Sequence, residues 1–352
     1  MNSVLQKGRY LLMEIWGTTH SGEKALLLHL QGQGGLSMTV SSYGCRILCL
    51  IAPDRAGRME NVVLGYDSLA AYETDDKYAG AAVGRVANLI EGACFEMDGK
   101  TYPLSVNDPP QHLHGGIHGF SCVVWEIEKV CENAVTFTHQ FPDGLDGYPG
   151  TLSVSVSYLL TPDNALEIRW DAMSTKKTPV SFTNHSYFNL DGDFRRDVSG
   201  YHLQIHAARM LELSDSCRPT GQILPVENTV FDFRRPRPIG ALSLPELAAA
   251  HGYDHTYLPD GSGLRPVACV WSPRSGRRLT VLSDLPALQL YTSNFAREGL
   301  ILRDGVLDEA HHAVCLETQY AVDFLHHRGF PARFLLPGET ETSTTVYRFD
   351  TV

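Results

Sequence analysis

Residues 151–160 read TLSVSVSYLL, with Leu152, Val154, Val156 and Tyr158 on one side of an extended chain and Ser153, Ser155 and Ser157 on the other. Successive side chains of a strand point to opposite faces, so this alternation specifies a strand with one apolar and one wet face. Similar short stretches occur at residues 36–40, 134–139, 165–170, 278–282, 287–291 and 344–349. Between them stand turn formers: Pro142-Asp143-Gly144, Pro162-Asp163-Asn164, Pro259-Asp260-Gly261 and Pro337-Gly338. Two stretches look helical, residues 67–72 and residues 244–251 (LPELAAAH), the second behind a Ser-x-x-Glu capping pattern that starts at Ser243. Many short strands, regular turns and almost no helix predict an all-β fold, a large antiparallel β-sandwich with few short helices. No Gly/Ser linker, charge block or fixed-period repeat divides the chain, so one domain over residues 1–352 is expected.

Composition narrows the partners. Lys plus Arg is 29 and Asp plus Glu is 40, a formal charge of −11 that argues against a phosphate backbone or an anionic membrane surface. With 43% apolar residues the chain can fill a large core. No run approaches a membrane span. The opening stretch MNSVLQKGRYLLMEIWG has no basic leader followed by an apolar block, which gives the expectation of a cytoplasmic protein. The eight cysteines contain no CxxC pair and are expected as buried or half-buried thiols in a reducing compartment. No Gly-rich loop joins a strand to a long helix and no Walker-type motif occurs, so no nucleotide cofactor is indicated.

Reactive and polar residues concentrate in six segments: residues 84–90 (GRVANLI), 112–120 (HLHGGIHGF), 183–190 (TNHSYFNL), 252–257 (GYDHTY), 288–294 (LQLYTSN) and 315–319 (CLETQ). His112, His114 and His118 have an H-x-H-x3-H spacing that could surround zinc, but Gly115-Gly116 turns the chain and leaves His118 unplaced. No G-x-S-x-G elbow and no evident Cys–His arrangement offers a nucleophile. General acid–base work remains. Glu317 lies in an apolar, strand-like run, and His185 stands between Asn184 and Ser186 ahead of Tyr187 and Phe188. Each taken singly also fits a solvated or structural role, and Asp254 equally fits a turn after Gly252.

The combination is more specific. The ordered segments GRVAN, LHGG, DGLDGYPG (residues 143–150), TNHSYFNL, GYDH, the Gln-x-Tyr-Thr-x-Asn run, LET and the late LLPGE (residues 335–339) resemble those of the aldose 1-epimerases, or galactose mutarotases, over about residues 60–340. The resemblance implies a single large antiparallel β-sandwich with a sugar cleft on its concave side, and neither a metal nor an organic cofactor. It implies Glu317 as general base, His185 as general acid, and His114 as a second histidine near the ring oxygen. Asp254 matches an aspartate that holds sugar hydroxyls, and Asn88 and Gln289 match substrate-contacting amides. Trp125, Tyr187, Phe188 and Tyr291 are candidates for the face on which a sugar stacks. The chain departs from the family at Leu89, where the usual G-R-x-A-N-R-I has a sugar-contacting arginine; Arg85 matches the first, structural, arginine. Residues 320–334 (YAVDFLHHRGFPARF) also replace the usual Pro- and Asn-containing loop, which predicts a remodelled cleft rim.

The implied function is interconversion of α and β anomers of a free aldose by acid–base ring opening and closure, with a small sugar as partner. A charged His185, favoured by Glu317 or Asp254, is expected to give the basic limb of the pH profile and Glu317 the acidic limb. Two other readings are a non-catalytic sugar-binding module and a hexose-phosphate epimerase of related fold. The first has no use for an acid–base pair, and the second would want clustered arginines. The preferred sugar and the oligomeric state are not encoded in any motif.

Overall fold

The protein is described by a computed structural model over residues 13–352. Most of the stretch examined for a leader lies outside the described residues. Residues 151–160 form the strand Leu152–Leu160, in which Leu152, Val154, Val156 and Tyr158 are buried and the serines are exposed or half-buried. It sits inside a nine-stranded antiparallel sheet between Ala134–Phe141 and Ala165–Ser174. The sheet continues through Thr340–Thr351, Arg277–Ser283, Arg265–Trp271 and His202–Ile205. Every alternating stretch predicted from sequence is a strand, as Ser37–Ser41 and Ala287–Tyr291 also show. Each large apolar side chain buried from these strands contributes about 1.5–3 kcal/mol, and Phe137, Val156, Tyr158, Trp170 and Tyr347 all join one core that runs from Leu28 to Phe349.

Two further five-stranded antiparallel sheets and four two-stranded ones complete the β architecture of the described residues. Met13–Thr18, Lys24–Gln31, Ser37–Ser41, Ile47–Pro53 and Met59–Asn61 form one in sequence order. It is tied to the large sheet by Arg277, fully buried, whose guanidinium donates to the carbonyls of Ala52, Leu190 and Arg58 and to Glu60. The other has the order Pro219–Pro225, Arg209–Leu213, Asp254–Leu258, Ala287–Tyr291, Cys315–Gln319. This sheet carries the site.

The first predicted helix is present as Leu69–Glu73, capped by Ser68, whose hydroxyl accepts from the Ala71 amide at 3.3 Å. The second is not. Residues 244–251 contain a single 3-10 turn, Pro245–Leu247, and Ser243 caps nothing. The chain instead turns back at His251, in the left-handed region at φ 56°. Of the cysteines, Cys122 and Cys131 are exposed, contrary to expectation; Cys45 and Cys315 are buried, the other four are half-buried, and all eight thiols are free. No helix among the described residues is long and apolar enough to cross a membrane.

Candidate active site

Three neighbouring strands present one face of polar side chains. Gln289 lies directly opposite Glu317 on one side and Thr256 on the other, so their side chains share a face, and Asp254 sits two residues along from Thr256. The Gln289 amide is oriented at both ends. Its oxygen accepts from the Thr256 hydroxyl at 2.6 Å, and its nitrogen donates to Asp254 Oδ1 at 2.6 Å. Four residues that no sequence spacing relates are thus fixed by strand register.

His185 comes from a different element. It follows the short strand Thr183–Asn184, its amide donates to the Ala81 carbonyl at 2.9 Å, and its ring stacks on Tyr187 with centroids 4.9 Å apart. This places His185 Nε2 3.7 Å from Glu317 Oε1, with both side chains under a tenth exposed. Neither Glu317 Oε2 nor His185 Nδ1 has a hydrogen-bond partner. Buried polar atoms without partners are costly and rare, and both of these lie at the cleft that His185 and Glu317 line.

His114 packs 5.3 Å from the His185 ring, edge to face, and Asn88 is its scaffold. The His114 amide donates to the Asn88 carbonyl at 3.0 Å, and the Asn88 amide donates to His114 Nδ1 at 3.2 Å. Because a backbone N–H can only donate, Nδ1 is the acceptor and the His114 proton sits on Nε2. Both residues adopt left-handed backbone, Asn88 at φ 66° and His114 at φ 50°. Positive φ is uncommon outside glycine, and asparagine and histidine are among the residue types enriched there.

All six residues predicted for the site line one cleft of about 440 Å³, together with Leu89, Tyr78, Tyr187, Tyr291 and Phe295. Two larger hollows, of about 570 and 670 Å³, hold none of the six. Of the proposed stacking residues, Tyr187 and Tyr291 face the cleft, whereas Trp125 and Phe188 are core. Sequence reading missed Tyr78, whose ring lies 4.5 Å from that of His114 and 6.4 Å from that of His185, because no motif surrounds it. Lys77, Asp76, Asp108, Cys217 and Arg218 were missed too. Arg85 is structural as expected, donating to the carbonyls of Pro149 and Gly150 and to Thr178. None of residues 320–334 lines the cleft directly; Asp323 turns inward and accepts from the Glu91 amide at 3.2 Å.

Electrostatics correct the expected charge states. Burial, with the Asp254 charge adding to it, pushes the Glu317 carboxyl well above the usual range. Burial pushes His185 down to about 4, outweighing the attraction of Asp75. His114 is driven well below its ordinary value by burial, then by His185 and His112. Asp254 rises to about 6 by burial, against the lowering effect of the Gln289 hydrogen bond. The expectation of a cationic His185 is therefore wrong for the ligand-free cleft: desolvation exceeds the pull of the neighbouring carboxylates. Between about pH 4 and the raised Glu317 value the pair holds one proton, and its two titrations belong to the pair rather than to either residue.

The histidine spacing noted in sequence does not assemble a metal centre. His112 contacts the Ser105 carbonyl and accepts from the Tyr148 hydroxyl, while His118 is exposed beside Asp146. Among the described residues the group able to hold an ion is His185, Cys315 and Glu317, whose ligand atoms lie within 4.8 Å of one another. The Cys315 thiol is pushed well up by burial, so an ion there would have to displace its proton.

A carboxyl and an imidazole 3.7 Å apart thus share a cleft edged by amides and aromatic rings. The sequence profile of the aldose 1-epimerase family matches residues 27–348. The galactose mutarotase of Homo sapiens is 39% identical over 89% of this chain and 91% of its own length. The aldose 1-epimerase of Escherichia coli K12 is 34% identical over 96% of this chain and 99% of its own. The crystal structure of an aldose epimerase homologue from C. elegans superposes with a TM-score of 0.86 at 29% identity, covering 93% of this chain and 99% of that one. Galactose 1-epimerase from Lactobacillus acidophilus gives 0.84 at 26% identity, covering 97% and 99%. The chain belongs to the aldose 1-epimerase family, isomerases that interconvert the anomers of a sugar.

Proposed function

We propose that the protein interconverts the α and β anomers of a free, uncharged aldose such as galactose or glucose, with Glu317 and His185 as the proton-transferring pair. The observation that carries this reading is the 3.7 Å separation of Glu317 Oε1 and His185 Nε2, two buried groups that both line one cleft. A hemiacetal opens when its anomeric hydroxyl loses a proton and its ring oxygen gains one. Those two oxygens are bonded to one carbon, so an acid and a base that serve both must lie within one hydrogen-bond reach of adjacent points. The exposed aldehyde then rotates and closes on its other face by the reverse transfers.

A pair that holds one proton supplies both functions. The step runs from the form in which that proton has moved from Glu317 to His185: the Glu317 carboxylate takes the anomeric proton, the His185 imidazolium delivers its own to the ring oxygen, and the pair is left with one proton on Glu317; the return direction exchanges the roles. His114 donates from Nε2, since its Nδ1 is engaged by Asn88, and so stabilises negative charge developing on the ring oxygen. Asp254, Gln289 and Asn88 hold the hydroxyls. Each positioned acid or base is worth about 10²–10⁴-fold.

The charges lining the cleft favour a neutral sugar over a phosphorylated one. Asp76, Asp108 and Asp254 face Lys77 and Arg218, and Lys77 is already held by Asp308 at 3.1 Å. The deciding experiment follows freshly dissolved α-D-glucose, α-D-galactose and several other aldoses by polarimetry or NMR. Accelerated equilibration of a free aldose is expected. Binding without acceleration overturns the enzyme reading in favour of a sugar-binding module, and acceleration only of phosphorylated sugars would replace the substrate class.

A further inference from the structure

Leu89 lines the cleft and offers no hydrogen-bond donor from its side chain. A guanidinium lines the same cleft. Arg218 ends the turn between the strands Arg209–Leu213 and Pro219–Pro225, and it lines the cleft beside Ser216 and Cys217. Arg218 Nη1 lies 3.1 Å from Glu91 Oε1, two residues beyond Leu89. We propose that Arg218 is a sugar-binding residue that hydrogen-bonds hydroxyls at the end of the ring away from the acid–base pair, and that it takes part in selecting the aldose.

Four observations support this, and all rest on the anomer-interconversion reading. First, Arg218 is delivered rigidly. The Ser214 amide donates to the Arg218 carbonyl at 2.8 Å, the Cys217 amide donates to the Ser214 carbonyl at 2.9 Å, and Pro219 fixes the next residue. Second, its anchor is itself anchored, since the Glu91 amide donates to the buried Asp323. The segment that departs from the family's usual loop thus braces the residue that braces Arg218. Third, one contact with Glu91 leaves most of the planar guanidinium fork free for ligand oxygens. Lys77, the other cation on the cleft wall, is spent on Asp308 and the Phe295 carbonyl. Fourth, depth separates the roles: the Arg218 side chain is 32% exposed, whereas the acid–base pair is under a tenth exposed. A sugar with its anomeric carbon at the floor therefore meets Arg218 at the mouth with its other end. Glu91 neutralises the guanidinium locally, which suits hydroxyl groups better than a phosphate.

The test compares Arg218→Ala with Glu91→Gln across the aldose panel. Loss of a charge-assisted contact made equally in ground and transition states raises KM by roughly 10–100-fold and leaves kcat close to that of the parent. The rise is expected to differ among aldoses that vary at the hydroxyls remote from the anomeric carbon. Glu91→Gln breaks the same ion pair but keeps the guanidinium, and its KM should stay within a few-fold of the parent. An unchanged KM in Arg218→Ala for every aldose overturns the proposal. So does an equal rise in both variants, which would mean that the ion pair acts only by holding the turn. If the parent accelerates no aldose, the enzymatic reading falls separately, and dissociation constants from calorimetry with the same sugars carry the test: equal affinity in parent and Arg218→Ala overturns it.

Discussion

Asp75 and Glu317 are equally hidden from solvent, their side chains 0% and 3% exposed, yet they keep opposite company. Asp75 Oδ1 accepts from the Tyr66 hydroxyl and the Lys77 amide, and Oδ2 accepts from Arg46 Nη1 and the Ala79 amide, all between 2.7 and 2.9 Å. Glu317 Oε2 accepts from nothing, and Oε1 faces an imidazole too distant for a hydrogen bond. The first carboxylate has its charge compensated and its lone pairs occupied, so it can only hold structure together. The second carries its desolvation uncompensated, which raises its proton affinity and leaves its lone pairs for a ligand. Burial alone does not separate structural from functional acids here; saturation with donors does.

Glu317→Gln should break the comparison at its strongest point. Removing one of two positioned proton-transfer groups lowers kcat by about 10²–10⁴-fold, while sugar affinity and the thermal midpoint hold or rise, because an unsatisfied buried carboxyl has gone. Near-parental turnover in polarimetry would remove Glu317 from the mechanism. Asp75→Asn should do the reverse. It leaves the buried Arg46 cation without its counter-charge, at a cost of about 3–5 kcal/mol in denaturant unfolding, with far less loss of turnover per folded molecule than Glu317→Gln shows. A stable Asp75→Asn variant would mean that the four donors around it are dispensable.

The sequence reveals the strands more fully than the site. Alternation at residues 151–160 is a direct print of burial, and Leu152, Val154, Val156 and Tyr158 all face the core. The helix expected at residues 244–251 is only a 3-10 turn, and the capping pattern at Ser243 makes no cap contact, whereas Ser68 does cap the five-residue helix Leu69–Glu73. Motifs located Glu317, His185, His114, Asn88, Asp254 and Gln289, but not how they meet. The direct pairing of Gln289 with Glu317 depends on strand register, and the His114–Asn88 contact on two left-handed residues. Tyr78 and Arg218 sit in no motif and reach the cleft by long-range folding. The charge states were misjudged for a related reason: neighbouring carboxylates are visible in a sequence, whereas the depth that neutralises them is not.

The smallest effect concerns Asp254, which stands between the two extremes. It has one donor, Gln289, and burial raises it to about 6. Ionised, it is a charge-assisted acceptor for a sugar hydroxyl; protonated, it is a neutral group and that contact weakens. The raised value means that protonation sets in as pH falls through about 6, so KM should climb over about pH 7 to 5 by up to about tenfold. Over the same interval kcat should stay level, because the Glu317–His185 pair keeps its single proton until His185 takes a second near pH 4. At high pH kcat falls as the raised Glu317 carboxyl releases that proton and the pair has none to give. Asp254→Asn should hold KM at the higher value and remove its pH dependence while preserving both limbs of kcat. A KM that stays flat from pH 7 to 5 in the parent would place the sugar's hydroxyls elsewhere, and a kcat that tracks KM would show that Asp254 acts on the proton transfer rather than on binding.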